Sequence, residues 1–175
     1  VVIDKEAIIG DHTFIGAGTY IGPRSTIGTH CQIHPHVTIR ENCILGNRVV
    51  LQPGAVIGSC GFGFITDAKG KHSKLNQLGC VIIEDDVEIG CNCTIDRGVT
   101  AATIIKRGAR LDNLIHLGHD VEIGRNCLIA SQVGIAGATI VEDGVTLWGQ
   151  VGVNKTITIG AGAVVLGQSE RERER

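Results

Sequence analysis

The chain has 175 residues, a formal net charge of −2, 3 % aromatic residues and seven cysteines. That balance excludes a general pull towards nucleic acid or an anionic membrane surface, and it leaves no base-stacking platform. No apolar run is long enough to read as a membrane-spanning helix, and no signal peptide is visible.

From Ile3 an aliphatic residue recurs at every sixth position through Ile9, Ile15, Ile21, Ile27, Ile33, Ile39, Leu45, Leu51 and Ile57. The series resumes at Ile83, Ile89 and Ile95, shifts phase once, and runs from Ile105 to Val165. A fixed six-residue period predicts stacked units in a parallel β-helix, an all-β fold. Three such hexads would close one triangular coil, coils would stack at about 4.8 Å, and residues 1–169 would form one domain of about eight coils. A helical reading fails for want of a 3.6-residue period and because the chain holds 25 Gly.

Gly often follows the aliphatic residue, as at Gly10, Gly16, Gly22 and Gly28. These glycines are read as relieving unusual backbone angles at a sharp corner. The fifth hexad position is small or β-branched (Thr19, Ser25, Cys31, Cys43, Ala55, Cys93, Cys127). Such residues are predicted to point inward beside the corner, which makes these cysteines buried reduced thiols. Cys91 and Cys93 have no second cysteine pair at zinc-ribbon spacing, so no structural zinc is expected. Reduced thiols favour a cytoplasmic protein.

Between Ile57 and Ile83 the pattern vanishes while Lys and Gly rise, which predicts a loop extruded over about residues 59–81. Phe62 and Phe64 either pack this loop onto the coil or form one wall of a ligand groove. Ten residues then separate Ile95 from Ile105, so one corner is predicted to bulge over Asp96–Thr103. After the bulge, His119 follows Gly118 at an outward hexad position. A neutral imidazole there suits a general base, although an outward His is often only a solvated residue. His12, His30 and His36 are also outward and read as surface or interface residues. Residues 170–175 form a low-complexity run unlike the repeat, read as an appended or disordered tail against a short capping helix.

The segments Gly58-Ser-Cys-Gly-Phe-Gly-Phe64, Thr94-Ile-Asp-Arg-Gly98, Thr103-Ile-Ile105, Asp112-Asn113, Gly118-His119 and Val121-Glu-Ile-Gly124 together resemble one family. It is the UDP-3-O-(3-hydroxyacyl)glucosamine N-acyltransferases of lipid A synthesis, and the likeness extends over about residues 1–169. The resemblance implies a left-handed β-helix, active as a homotrimer with clefts between subunits. It implies transfer of a 3-hydroxyacyl chain from the phosphopantetheine thioester of acyl carrier protein to the 2-amino group of a UDP-linked sugar, with no bound cofactor and no metal. His119 matches the family's general base, Asp112 an acidic residue that orients it (or else only a corner residue in the place of Gly), and Asn113 a substrate-lining position. Seven residues part Asp112 from His119, so contact between them is expected to need a neighbouring subunit. Gly137, one coil beyond His119, would leave room for the pantetheine arm. Backbone N–H groups near Gly corners are expected to hold the oxyanion.

Two departures stand out. Lys155-Thr156 occupies the place of the family's Gly-His pair, and His116 is additional. The family's amino-terminal uridine-binding domain and carboxy-terminal helical segment do not match any part of these residues, so weak or no activity is expected of them alone. Other readings are O-acylation of UDP-N-acetylglucosamine, acetyl transfer from coenzyme A, and a non-catalytic or engineered prism. A zinc site shared between subunits, as in γ-carbonic anhydrases, lacks a third His at suitable spacing.

Overall fold

The computed structural model describes residues 1–171. The chain winds into a three-faced parallel solenoid whose faces hold nine, eight and eight strands, close to the expected number of coils. Most strands are two residues long, as at Thr26–Ile27 and Glu122–Ile123. Regular coils lie 18 residues apart, so the Cys31 N–H reaches the Thr13 hydroxyl of the coil before it. The first face carries the strands Val56–Ser59, Thr94–Asp96, His116–Leu117, Gly134–Ile135 and Gly152–Val153. The second carries Glu122–Ile123 and the third Arg110–Leu111.

The six-residue aliphatics fill the prism. Ile21, Ile33, Ile39, Ile57, Ile89 and Ile95 are each fully buried. Burial of one such side chain contributes roughly 1.5–3 kcal/mol, so the column, not strand propensity, stabilises these two-residue strands. The small inward residues satisfy the corner carbonyls of the next coil. Thr19, Ser25 and Thr139 donate hydroxyl hydrogen bonds to the carbonyls of His34, Arg40 and Asn154 at 3.0, 2.8 and 2.9 Å. Burial pushes the Cys43 thiol up to about 11 and raises Cys31, Cys93 and Cys127 as well, which keeps these thiols neutral. All seven cysteines are free.

The corner glycines have a different cause from the one expected. Gly10, Gly16, Gly22 and Gly28 do not adopt positive φ; the left-handed residue lies two positions later, at His12, Gly18, Arg24 and His30. Gly is required because the next coil passes directly over it. A Cβ on Gly16 would lie 2.4 Å from the Pro35 nitrogen, and one on Gly28 2.4 Å from the Gly46 carbonyl oxygen. Close backbone approach, rather than torsional relief, selects the residue. Gly58, at φ 87°, is an exception and sits in the bulge.

The extruded segment is 60–79, because Ser59 and Cys80–Val81 belong to strands. It is not a plain loop. Phe64–Thr66 and His72–Lys74 form an antiparallel hairpin, closed by Gly70 at φ 78°. The bulge appears where the register of Val56–Ser59 against Thr94–Asp96 slips between Ile57 and Ser59. Of the predicted tail, Glu170–Arg171 pairs with Gly152–Val153, and the remainder lies outside the described residues. No helix among the described residues is long and apolar enough to cross a membrane.

Candidate active site

Both irregularities fall at the corner between the first and second faces, and His119 lies on the coil directly beyond them. The corner Gly118-His119-Asp120 joins His116–Leu117 to Glu122–Ile123. Asp120 takes the left-handed position, φ 59°, which Asp tolerates better than most residues. Its carboxylate accepts the Val99 N–H at 3.1 and 3.2 Å, while its own N–H donates to the Thr103 hydroxyl oxygen at 2.9 Å. Val99 and Thr103 belong to the bulged segment, so the bulge fixes Asp120. A Cβ at Gly98 would come within 2.5 Å of the Ala101 carbonyl oxygen and 2.6 Å of Asp120 Oδ1, which together explain the Gly in the Asp-Arg-Gly run.

Asp120 Oδ2 in turn lies 2.9 Å from His119 Nδ1. A carboxylate accepts and does not donate, so Nδ1 carries a proton, and in the neutral ring the lone pair is on Nε2. The imidazole, 29 % exposed, lies against Gly137, where a Cβ would meet Nε2 and Cε1 at 2.7 Å. The space left by Gly137 is therefore filled by the ring itself rather than left to a substrate arm. Open space lies instead at Gly134 and Gly152, where an added Cβ would meet nothing within 4 Å.

The surrounding cleft has a volume of about 830 Å³. Phe62, Asp96, His116, His119, Gly137 and Lys155 line it. Phe62 is thus a wall residue, while Phe64 packs edge-on against it at 5.1 Å and sits under the Lys74 ammonium. Phe64 thus packs within the extruded segment and not onto the coil. Arg97, 4 % exposed, ties the bulge to the loop entrance by donating to the Gly58 carbonyl at 2.8 Å and pairing with Glu41 at 2.8 Å.

Asp112 and Asn113 are not brought to His119 within the chain. They lie at the preceding corner, between the third and first faces, and line a second groove of about 390 Å³ with Arg110, Cys91 and Trp148. The acid beside His119 is not Asp112 but Asp120, its neighbour in the chain. Its signal was the bulge, whose backbone N–H groups needed an acceptor on the next coil. Among the described residues no three His, Cys, Asp or Glu side chains converge in a way that could hold a metal ion.

A parallel solenoid of hexads with a His–carboxylate pair in a cleft defines a class, and comparison with known proteins agrees with it. The bacterial transferase hexapeptide (six repeats) family matches residues 6–41, 24–59 and 102–137, and a hexapeptide repeat of succinyl-transferase matches 80–111. The chain belongs to the bacterial transferase hexapeptide family. More particularly, it is 50 % identical over 133 residues to the UDP-3-O-acylglucosamine N-acyltransferase of Methylorubrum populi, and 48 % over 115 residues to that of Helicobacter hepaticus. These alignments cover 76 % and 66 % of this chain but 38 % and 35 % of the relatives. The chain thus spans little more than a third of the length of the curated relatives it matches. Among solved structures, the UDP-N-acetylglucosamine acyltransferase of Bacteroides fragilis superposes with a TM-score of 0.86 at 26 % identity, over 98 % of this chain and 65 % of that one. The left-handed winding inferred from the resemblance stands with that likeness.

Proposed function

We propose that this chain is the β-helical part of an N-acyltransferase. It moves a 3-hydroxyacyl group from the phosphopantetheine thioester of acyl carrier protein to the 2-amino group of UDP-3-O-acyl-glucosamine, in the cytoplasm. The observation that carries the reading is the His119 ring, held through Nδ1 by Asp120 and lining the cleft. The amine lone pair attacks the thioester carbon, and a proton passes from nitrogen to Nε2 as the C–N bond forms. Asp120 then stabilises the imidazolium. Collapse of the tetrahedral species breaks the C–S bond, and the proton leaves with the thiolate sulfur. No covalent enzyme intermediate is needed.

The oxyanion has a candidate donor in the Gly137 N–H, which makes no hydrogen bond among the described residues. A free, rigid N–H beside the base is the arrangement that developing negative charge requires. In a homotrimer, the Asp112–Asn113 corner of one subunit would face the His119 cleft of the next, which reconciles Asp112 and Asn113 with a substrate role. O-acylation is weaker support for the same cleft, since it rests on 26 % identity against 50 %.

The test sets this chain in place of the aligned segment of the Methylorubrum populi relative and follows acyl transfer to the UDP-linked amine. His119→Ala is expected to lower kcat by about 10²–10⁴-fold. An unchanged rate, or no transfer before substitution, overturns the reading.

A further inference from the structure

We propose that Asp96 selects an amine over a hydroxyl as the acyl acceptor; this rests on the N-acyltransferase reading above. Asp96 is 5 % exposed and lines the same cleft as His119. Its Oδ1 accepts the Ser59 hydroxyl at 2.6 Å. Its Oδ2 accepts no hydrogen bond among the described residues, and the nearest cationic candidate, His116 Nε2, stands 3.7 Å away. His116 is engaged through Nδ1 with the Thr94 hydroxyl at 2.8 Å. A nearly buried carboxylate is costly unless its oxygens are paired, so an unpaired oxygen at a cleft wall is a place for a donor from the ligand.

The loop is shaped around this carboxylate. A Cβ on Gly61 would stand 3.1 Å from Oδ2 and 3.0 Å from Gln77 Nε2. Gln77 is 4 % exposed, its Oε1 accepts the Gly61 N–H at 2.7 Å, and its Nε2 has no partner. An acceptor open to the cleft and a buried donor without an acceptor therefore flank one backbone position, next to the cleft residue Phe62. A carboxylate oxygen that faces the cleft with no donor from the chain is open to one from a ligand.

The chemistry separates the two acceptor types. A primary amine attacks with its lone pair and has two N–H bonds. One proton passes to His119 Nε2; the other stays on nitrogen, becomes the amide N–H of the product, and can donate to Asp96 Oδ2 throughout. A hydroxyl has a single proton, and it goes to His119. Its oxygen would then turn lone pairs towards the carboxylate, leaving Oδ2 unpaired and repelling the developing charge.

The measurement is the ratio of kcat/KM for the 2-amino acceptor to that for its 2-hydroxyl counterpart, in the chimeric protein described above. Asp96→Asn keeps the size of the group. With Oδ1 still held by Ser59, it presents an NH2 where Oδ2 stood, a donor that suits a hydroxyl oxygen and opposes an N–H. The amine-to-hydroxyl ratio is expected to fall by roughly 10²-fold. Thr66→Ala, in the exposed hairpin and outside the cleft lining, is expected to hold the ratio within about threefold. An unchanged ratio in Asp96→Asn, or an equal fall in Thr66→Ala, overturns the assignment while leaving N-acyl transfer intact. Failure of the unsubstituted chimera to acylate the amine overturns both.

Discussion

His119 works through what it rests on. Its ring lies in space that only a missing side chain provides, and its proton is placed by a neighbour that the bulge holds. Gly137 has an ordinary φ, so Ala fits the backbone there, but its Cβ would stand 2.7 Å from the imidazole. The ring is the movable partner and would swing aside. Gly137→Ala is thus expected to lower kcat by about 10²-fold with little change in KM, as a small misplacement of a reacting group does; thermal unfolding should be nearly unmoved. A kcat within twofold of the parent would show that the ring position is not needed. The histidine proposed as base was legible as a candidate from the sequence, because Gly118-His119 stands in a recognisable run. Asp120 was not, because a one-dimensional reading weighs an acid seven residues away on a known motif above one that is merely adjacent. Asp96 was legible only as part of a bulge, since nothing in Thr94-Ile-Asp-Arg-Gly98 says which side chain turns to the cleft.

At the level of the element, the hexad is governed by the coil that follows it. The period, the inward aliphatics and the small fifth residue were all readable, because each reports directly on a shared interior. The glycine was readable as a corner but not in its cause: steric exclusion by a strand 18 residues on cannot be seen in a local window. Position gives a direct comparison. Gly124 and Gly160 occupy the same hexad position on one column, yet a Cβ at Gly124 would meet the Glu142 backbone at 2.4 Å, and one at Gly160 meets only a carboxylate oxygen at 4.0 Å. Gly124→Ala is expected to destabilise by about 1–3 kcal/mol, lowering Tm by several degrees, while Gly160→Ala leaves it unchanged. Equal melting temperatures would return the glycines to a purely torsional role. The hairpin at Phe64–Lys74 escaped notice for a similar reason: its strands are exposed and polar, with no interior to impose a pattern.

Across the whole molecule, the outward rows carry apolar groups that one chain does not cover. Ile44, Leu128, Ile140, Trp148, Val164 and Leu166 are all exposed. Faces of this kind suit association with copies of the same chain, and the groove beside Trp148 and Asn113 is where a neighbour would sit. Sedimentation at micromolar concentration is expected to give a trimer, and Trp148→Glu to give a smaller species; a monomeric parent chain would remove the shared-cleft arrangement. Finally, each strand of the prism, the hairpin apart, pairs only with those of the coils on either side. Mechanical influence therefore travels from storey to storey and fades with height. A whole 18-residue storey could be added or removed far below Ser59 without disturbing the reacting groups, so the height of this tower is free to drift while its chemistry stays fixed at one level.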